Sequence, residues 1–300
     1  SLKLGEGTSH HVLIGGGTGG GKSTLLHTII MSSMLHYSPD QLHLYMMDFK
    51  GGTEFKIYES ERLPHIQLLA LDAMQEFGES ILQNLVEEME RRSTEFKNAG
   101  GYTKVEDYVR GTGKPMPRIL VIMDEFQILF DDSTNRKVAM KSANHAKRIV
   151  TEGRAYGVHL LMATQSTNII STLTLDRGTI EQMRVRIGLK CGEDDARYLF
   201  SDRYDRDALK KMAGPKGTAV MNPDYTEEYG NIGLRVAFCD NESKKKYLKQ
   251  ISETFANKPC TTQIFEGSRT ERLLDYFSSH VIKQTNTLPV HIHMGNTIKV

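Results

Sequence analysis

The sequence predicts an α/β fold in which a mostly parallel sheet carries helices on both faces. Three observations lead there. Short apolar runs alternate along the chain with longer stretches of helical periodicity, the pattern of buried parallel strands between covering helices. The first such run, His11-Val12-Leu13-Ile14, enters a loop dense in glycine and then a helical stretch. A later run, Arg118-Ile119-Leu120-Val121-Ile122-Met123, stops at two adjacent carboxylates, Asp124 and Glu125.

Taken in order, strands are expected at His11–Ile14, Leu42–Met47, Ile66–Leu71, Ile119–Met123, Val158–Ala163, Val185–Leu189, Thr218–Met221 and Leu234–Phe238, with helices filling most of the gaps. The clearest helix spans Ala73 to about Asn98. Phe77, Ile81, Leu85, Met89 and Phe96 form its apolar stripe, and Glu87, Glu88, Arg91 and Arg92 are assigned to its solvent side. Gly100-Gly101 ends it, and Gly111-Thr112-Gly113-Lys114-Pro115-Met116-Pro117 marks the loop before the next strand. A further helix near Ser243–Ala256 opens on Lys244-Lys245-Lys246, which is assigned to a solvated face. Lys258-Pro259 is taken as a boundary, with 1–258 one domain and 259–300 a linker or the start of a following module.

Composition narrows the function classes. At 300 residues the chain has length enough for a core without disulfides or a metal staple. Its 38 basic and 37 acidic side chains leave a formal charge of +1, so any contact with a nucleic acid must come from a local stripe rather than bulk charge. Cys191, Cys239 and Cys260 are odd in number and lack metal-ligand spacing, and read as reduced thiols of a cytosolic protein. His291 and His293 share one side of an alternating segment and read as a surface strand rather than a zinc site. No apolar stretch approaches the ~20 residues needed to span a bilayer, and no secretory leader is visible, so this segment is not expected to insert in a membrane. A cytoplasmic location is expected, with membrane attachment only through segments outside the chain. The start at Ser1 suggests an excised module.

The loop after the first strand carries the strongest chemical signal. Gly16-Gly17-Thr18-Gly19-Gly20-Gly21-Lys22-Ser23-Thr24 fits GxxxxGK[ST] in its strand–loop–helix setting. Glycines let successive backbone N–H groups turn toward phosphates, and the helix N-terminus adds its positive dipole end. Lys22 would reach the β- and γ-phosphate oxygens, and Ser23 would offer its hydroxyl to Mg²⁺. A nucleoside triphosphate is therefore the expected ligand.

Asp124 and Glu125 follow the cradle lysine by about a hundred residues and form a Walker B-like strand end. In a parallel sheet the carboxyl ends of neighbouring strands share one edge, which would bring Asp124 to the Mg²⁺ beside Ser23 and Glu125 to a water facing the γ-phosphate. Asp124 is assigned to metal and Glu125 to water activation. Gln165, at the polar tip that follows the expected strand Val158–Ala163, would share that edge; its amide both donates to phosphate oxygen and accepts from water. Arg154 lies at the far end of the same strand. It reads equally as an arginine finger for a neighbouring subunit or as a helix-terminal salt bridge.

Gly16–Ser23, Asp48-Phe49-Lys50-Gly51-Gly52, Leu63-Pro64-His65, Asp124-Glu125 and the stretch Gly153-Arg154-Ala155-Tyr156-Gly157-Val158-His159-Leu160-Leu161-Met162-Ala163-Thr164-Gln165 together resemble the FtsK/SpoIIIE family of ATPase motors over about residues 1–258. The resemblance implies a RecA-like P-loop NTPase core, ATP and Mg²⁺ as cofactors, and ring partners, either as a homo-oligomer, a hexamer, or as neighbouring ATPase modules of a longer chain. By position it supports Lys22, Ser23, Thr24, Asp124, Glu125 and Gln165 as nucleotide groups and favours Arg154 as the finger. Members either pull duplex DNA through the ring or, in the EssC/EccC branch, energise type VII protein secretion. Asp48–Gly52 and Arg186-Ile187-Gly188-Leu189-Lys190 lean toward secretion, as does Ser166-Thr167 where DNA pumps commonly carry an arginine-proline pair. The intact Ala163-Thr164-Gln165 and Ala155 lean toward DNA. Translocation of double-stranded DNA is the reading taken, with secretion of a polypeptide as the alternative.

Overall fold

The structure, a computed structural model, describes residues 2, 4, 5, 7, 9–166, 173–224 and 230–267. His291, His293 and Thr167 lie outside them. The elements follow in chain order: β1 (Val12–Gly15), α1 (Lys22–His36), β2 (Leu42–Asp48), β3 (Ile66–Leu71), α2 (Gln75–Asn98), α3 (Val105–Thr112), β4 (Arg118–Asp124), α4 (Asp132–Tyr156), β5 (Val158–Thr164), α5 (Arg177–Glu181), β6 (Val185–Leu189), α6 (Glu193–Met212), β7 (Thr218–Asn222), β8 (Ile232–Arg235), α7 (Asn241–Thr254) and β9 (Gln263–Glu266). The described strands form one sheet in the order β8-β7-β6-β1-β5-β4-β2-β3-β9. Every pairing from β6 to β9 is parallel, while β7 and β8 close the other edge antiparallel.

Alternation along the strands divides the core between two faces, because successive side chains of a strand point to opposite sides of the sheet. Leu13, Ile119, Val121, Met123, Leu160 and Met162 join α2, α4 and α6 in one buried cluster. Val12, Ile14, Leu120, Ile122, Leu161 and Ala163 join α1 and α7 in the other. Central strands covered on both sides are apolar at nearly every position, which is why β1, β4 and β5 read as apolar runs, with His159 of β5 a buried exception. The described α1, α2, α4, α6 and α7 thus cover both faces as the sequence pattern predicts.

Two expectations are corrected. The last of the predicted strands is not Leu234–Phe238 but Ile232–Arg235. Pairing with β7 stops where Val236 N–H donates to the carbonyl of Gly217 at 2.8 Å, and the Ala237 carbonyl is taken by the Thr28 hydroxyl of α1 at 2.9 Å. Phe238 is left 78% exposed. Arg92 is not on the solvent side of α2 but 2% exposed. Each nitrogen of its guanidinium donates one hydrogen bond, to Glu88 at 2.7 Å and to the carbonyls of Tyr156 and Pro117 at 2.7 and 2.8 Å, which makes burial of the charge tolerable. Glu88 and Arg91 do pair on the outer side of α2. Beyond Lys258-Pro259, β9 adds in parallel to β3, and Phe265 stacks on Phe77 of α2 with ring centroids 3.9 Å apart. No described helix is long and apolar enough to cross a membrane.

At the amino ends of β1 and β5 lies a buried group of imidazoles. His11 Nδ1 accepts the Leu160 N–H at 3.0 Å, and His159 Nδ1 donates to the His10 carbonyl at 2.9 Å. Burial first, then the neighbouring histidines, depresses His11 to about 3; burial, opposed by the His10 carbonyl and aided by Arg118, depresses His159 to about 4. The unfolded chain takes up protons near 6.5 that these rings refuse when folded, so stability is present above that value and is lost as pH falls toward the folded values. By pH about 5 the loss amounts to about 2 kcal/mol per ring. Denaturant unfolding at pH 7 and pH 5 should show it, and His11→Asn, which keeps an acceptor but does not titrate, should remove roughly half. An unchanged difference in that variant would assign the acid sensitivity elsewhere.

Candidate functional site

The strand order places the site. β1 runs between β5 and β6, with Gly15 in register with Thr164 on one side and Gly188 on the other. The loop that leaves β1 is therefore tied to both neighbours: Gly16 N–H donates to the Thr164 carbonyl at 3.2 Å and Gly17 N–H to the Lys190 carbonyl at 2.9 Å. A closing bond from Gly20 N–H to the Gly17 carbonyl at 2.9 Å tightens it. Gly19 and Gly21 adopt φ of +76° and +107°, the left-handed region that glycine enters without a Cβ penalty. Gly21 is the N-cap of α1.

That helix start is open. No side chain caps it and its first turn holds no acidic residue, whereas α4, α5 and α7 are capped by Asp131, Asp176 and Asp240. The first-turn N–H groups of Lys22, Ser23 and Thr24 have no intrahelical partner, since the ladder begins with Leu25 N–H to Gly21. A bare positive dipole end under a ring of glycines fits a polyphosphate.

Across β5, β4 delivers the acids. Asp124 ends the strand 5% exposed, and Glu125, 2% exposed, takes φ +53° to start a short 3-10 turn, Phe126–Ile128. Lys22 Nζ is paired with Asp124 Oδ1 and lies 2.8 Å from Glu125 Oε1. Burial works against the Lys22 charge, but Asp124 and Glu125 outweigh it and hold the ammonium above its ordinary range. Burial raises Asp124 to about 6, with Lys22 pulling the other way and Glu125 and Asp48 adding repulsion. For Glu125 burial is outweighed by hydrogen bonds from Lys22, Gln127 Nε2 at 2.7 Å and the Gln165 N–H at 3.3 Å, which keep it below the usual carboxylate range.

Gln165 closes the group. Its Oε1 accepts from the Thr18 hydroxyl at 3.1 Å and faces Lys50 Nζ at 3.5 Å. Gly16, Gly17, Thr18, Gly19, Gly20, Gly21, Lys22, Ser23, Thr24, Asp124, Glu125 and Gln165 are thus gathered at one sheet edge. Arg154 is not among them. It is exposed at the carboxyl end of α4, near His10 at the opposite edge, with no side-chain ion pair among the described residues.

Residue-by-residue reasoning missed the contribution of β2. Asp48 is in register with Asp124 and 2% exposed, and it accepts the N–H groups of Lys50 at 2.8 Å and Glu54 at 3.2 Å. The signal was present: Leu42–Met47 ends on a carboxylate just as Ile119–Met123 does.

Comparison with known proteins gives the family. Residues 2–168, more than half of the chain, match the model of the FtsK/SpoIIIE family. The DNA translocase FtsK of Streptococcus pyogenes is 28% identical over 253 residues, which cover 81% of this chain and 29% of that protein. The ESX secretion system protein EccC of Thermomonospora curvata is 30% identical over 191 residues, 61% of this chain and 14% of that protein. The solved cytoplasmic domain of the type VII secretion ATPase EccC from the same organism superposes with a TM-score of 0.62 at 25% identity, covering 82% of this chain and 28% of that one. The chain therefore spans less than a third of the length of these relatives. An uncapped helix start behind a glycine-rich loop, a lysine and paired acids meeting it across the sheet, and a family match over most of that region lead to one conclusion: the chain belongs to the FtsK/SpoIIIE family and is an ATPase domain of that type.

Proposed function

We propose that this domain hydrolyses ATP with Mg²⁺ in a ring and uses the cycle to move duplex DNA. The observation that carries hydrolysis is the convergence of Lys22, Asp124 and Glu125 beneath the open start of α1. Lys22 leaves its acids to bind phosphate oxygens, since a polyphosphate beside α1 offers it more negative charge than the two carboxylates. Ser23 and Asp124 would hold Mg²⁺, whose charge, when bound, would offset that of the phosphates and of Asp124. Glu125, relieved of Lys22, orients and deprotonates water. Gln165, on the strand between cradle and acids, reports the state of the γ-phosphate through its contacts with Thr18 and Lys50. Arg154, exposed at the opposite edge, suits a role at a neighbouring subunit's site rather than its own.

DNA as the polymer is supported by the similarity to the FtsK translocase over 81% of the chain. The second reading, a module of a type VII secretion ATPase, is supported by the likeness to EccC and by the Asp48–Gly52 string. Steady-state ATPase assays with duplex DNA or with peptides separate them. Stimulation by DNA that weakens steeply with added salt, as counterion release requires, is the expected result. Stimulation by peptide alone would replace DNA translocation with secretion.

A further inference from the structure

We propose that Glu54 is a positioning residue on the Mg²⁺ side of the nucleotide site, held by His27 and Tyr58, and that it makes the site prefer metal-loaded ATP over the bare triphosphate. The inference rests on the nucleotide reading above and adds a residue that the cradle and Walker B motifs do not contain.

Ser23 and His27 stand four residues apart on α1 and so share one face, a turn apart. Glu54 lies between β2 and the 3-10 turn Lys56–Ser60, opposite that face. His27 Nε2 is 3.0 Å from Glu54 Oε1, and His27 Nδ1 is 2.8 Å from the Tyr58 hydroxyl. With the Tyr58 hydroxyl donating to Nδ1, the ring donates from Nε2 to the carboxylate. His27 is 8% and Tyr58 2% exposed, so the relay is locked by packing. From the other side Asp48 fixes the backbone, accepting the Glu54 N–H through Oδ2 and the Lys50 N–H through Oδ1.

A surface glutamate has no need of two buried rings and a buried aspartate to aim it. Held against the face of α1 that carries Ser23 and His27, the carboxylate is placed to accept hydrogen bonds from the Ser23 hydroxyl and from waters around a hard cation, the outer-shell role that orients ligands and raises metal affinity. The same negative charge repels a triphosphate that arrives without metal. Both effects widen the gap between the two forms of the ligand.

Isothermal titration of the chain with ATPγS, in MgCl₂ and in EDTA, reads that gap directly and needs no turnover. In Glu54→Gln the ratio of metal-free to Mg²⁺ dissociation constants should shrink roughly ten-fold relative to the parent. Tyr58→Phe, which removes only the far end of the relay, should shrink it less. If Glu54→Gln does not fold, Glu54→Asp, which withdraws the charge by one methylene, takes its place with the same expected direction. A ratio within about two-fold of the parent in the folded variant overturns the role of Glu54 and leaves the nucleotide site standing. A parent chain that binds neither form removes both.

Discussion

Glu125→Gln is expected to bind ATP with Mg²⁺ as the parent does and to hydrolyse it at least about 10²-fold more slowly. In the proposed reaction Glu125 is the base: it is buried, yet Lys22, Gln127 and the Gln165 N–H keep it ionised. Its strained backbone, φ +53° in a residue with a Cβ, persists because the turn Phe126–Ile128 and the strand before it leave no other path. The amide keeps the size and most of the hydrogen bonds but cannot take a proton from water. Single-turnover hydrolysis, with binding measured separately, gives the answer. A rate within a few-fold of the parent would move the base to another group.

Lys22→Met should have two effects, one on the ligand and one on the fold. Nucleotide binding should disappear, because the ammonium is the only described side-chain cation buried against both acids of the site. Stability should fall by about 3–5 kcal/mol, because removing one partner of a buried ion group leaves uncompensated charge. Asp124 and Glu125 would then face each other without the ammonium that both contact, at 5% and 2% exposure. Neutralising the acids as well, in Lys22→Met/Asp124→Asn/Glu125→Gln, should recover most of the stability and none of the binding. Urea unfolding and calorimetric titration of the two variants test the pair of statements. A single variant as stable as the parent would mean that the triad carries function without holding the fold.

The parts of the site legible in the sequence are those encoded within one local segment. Gly16–Thr24 announces itself because strand, loop and helix are contiguous and because glycine at fixed spacing has few other uses. Asp124-Glu125 is legible because an apolar strand ending in acids is a local composition change. The solvent side of α2 shows where local pattern stops. Arg91 and Arg92 look alike in the periodicity, yet Arg92 is buried, since carbonyls from the end of α4 and from the loop before β4 converge on its guanidinium. Helical period alone does not reveal what another segment brings to meet a side chain.

Legible from the chain alone, through short-range pattern, are the alternation of buried strands and covering helices, the glycine-rich loop before α1 and the acids that end β4. Tertiary structure decided who meets whom. The order β1-β5-β4-β2 brings Gln165, Asp124 and Asp48 to the cradle edge in turn, folds Lys22 onto its acids, sets Glu54 against α1 and sends Arg154 to the far edge. The reason is physical: a strand's place in a parallel sheet depends on pairing with segments scores of residues away and on how its crossover helix packs, and neither leaves a mark on the residues of the strand itself.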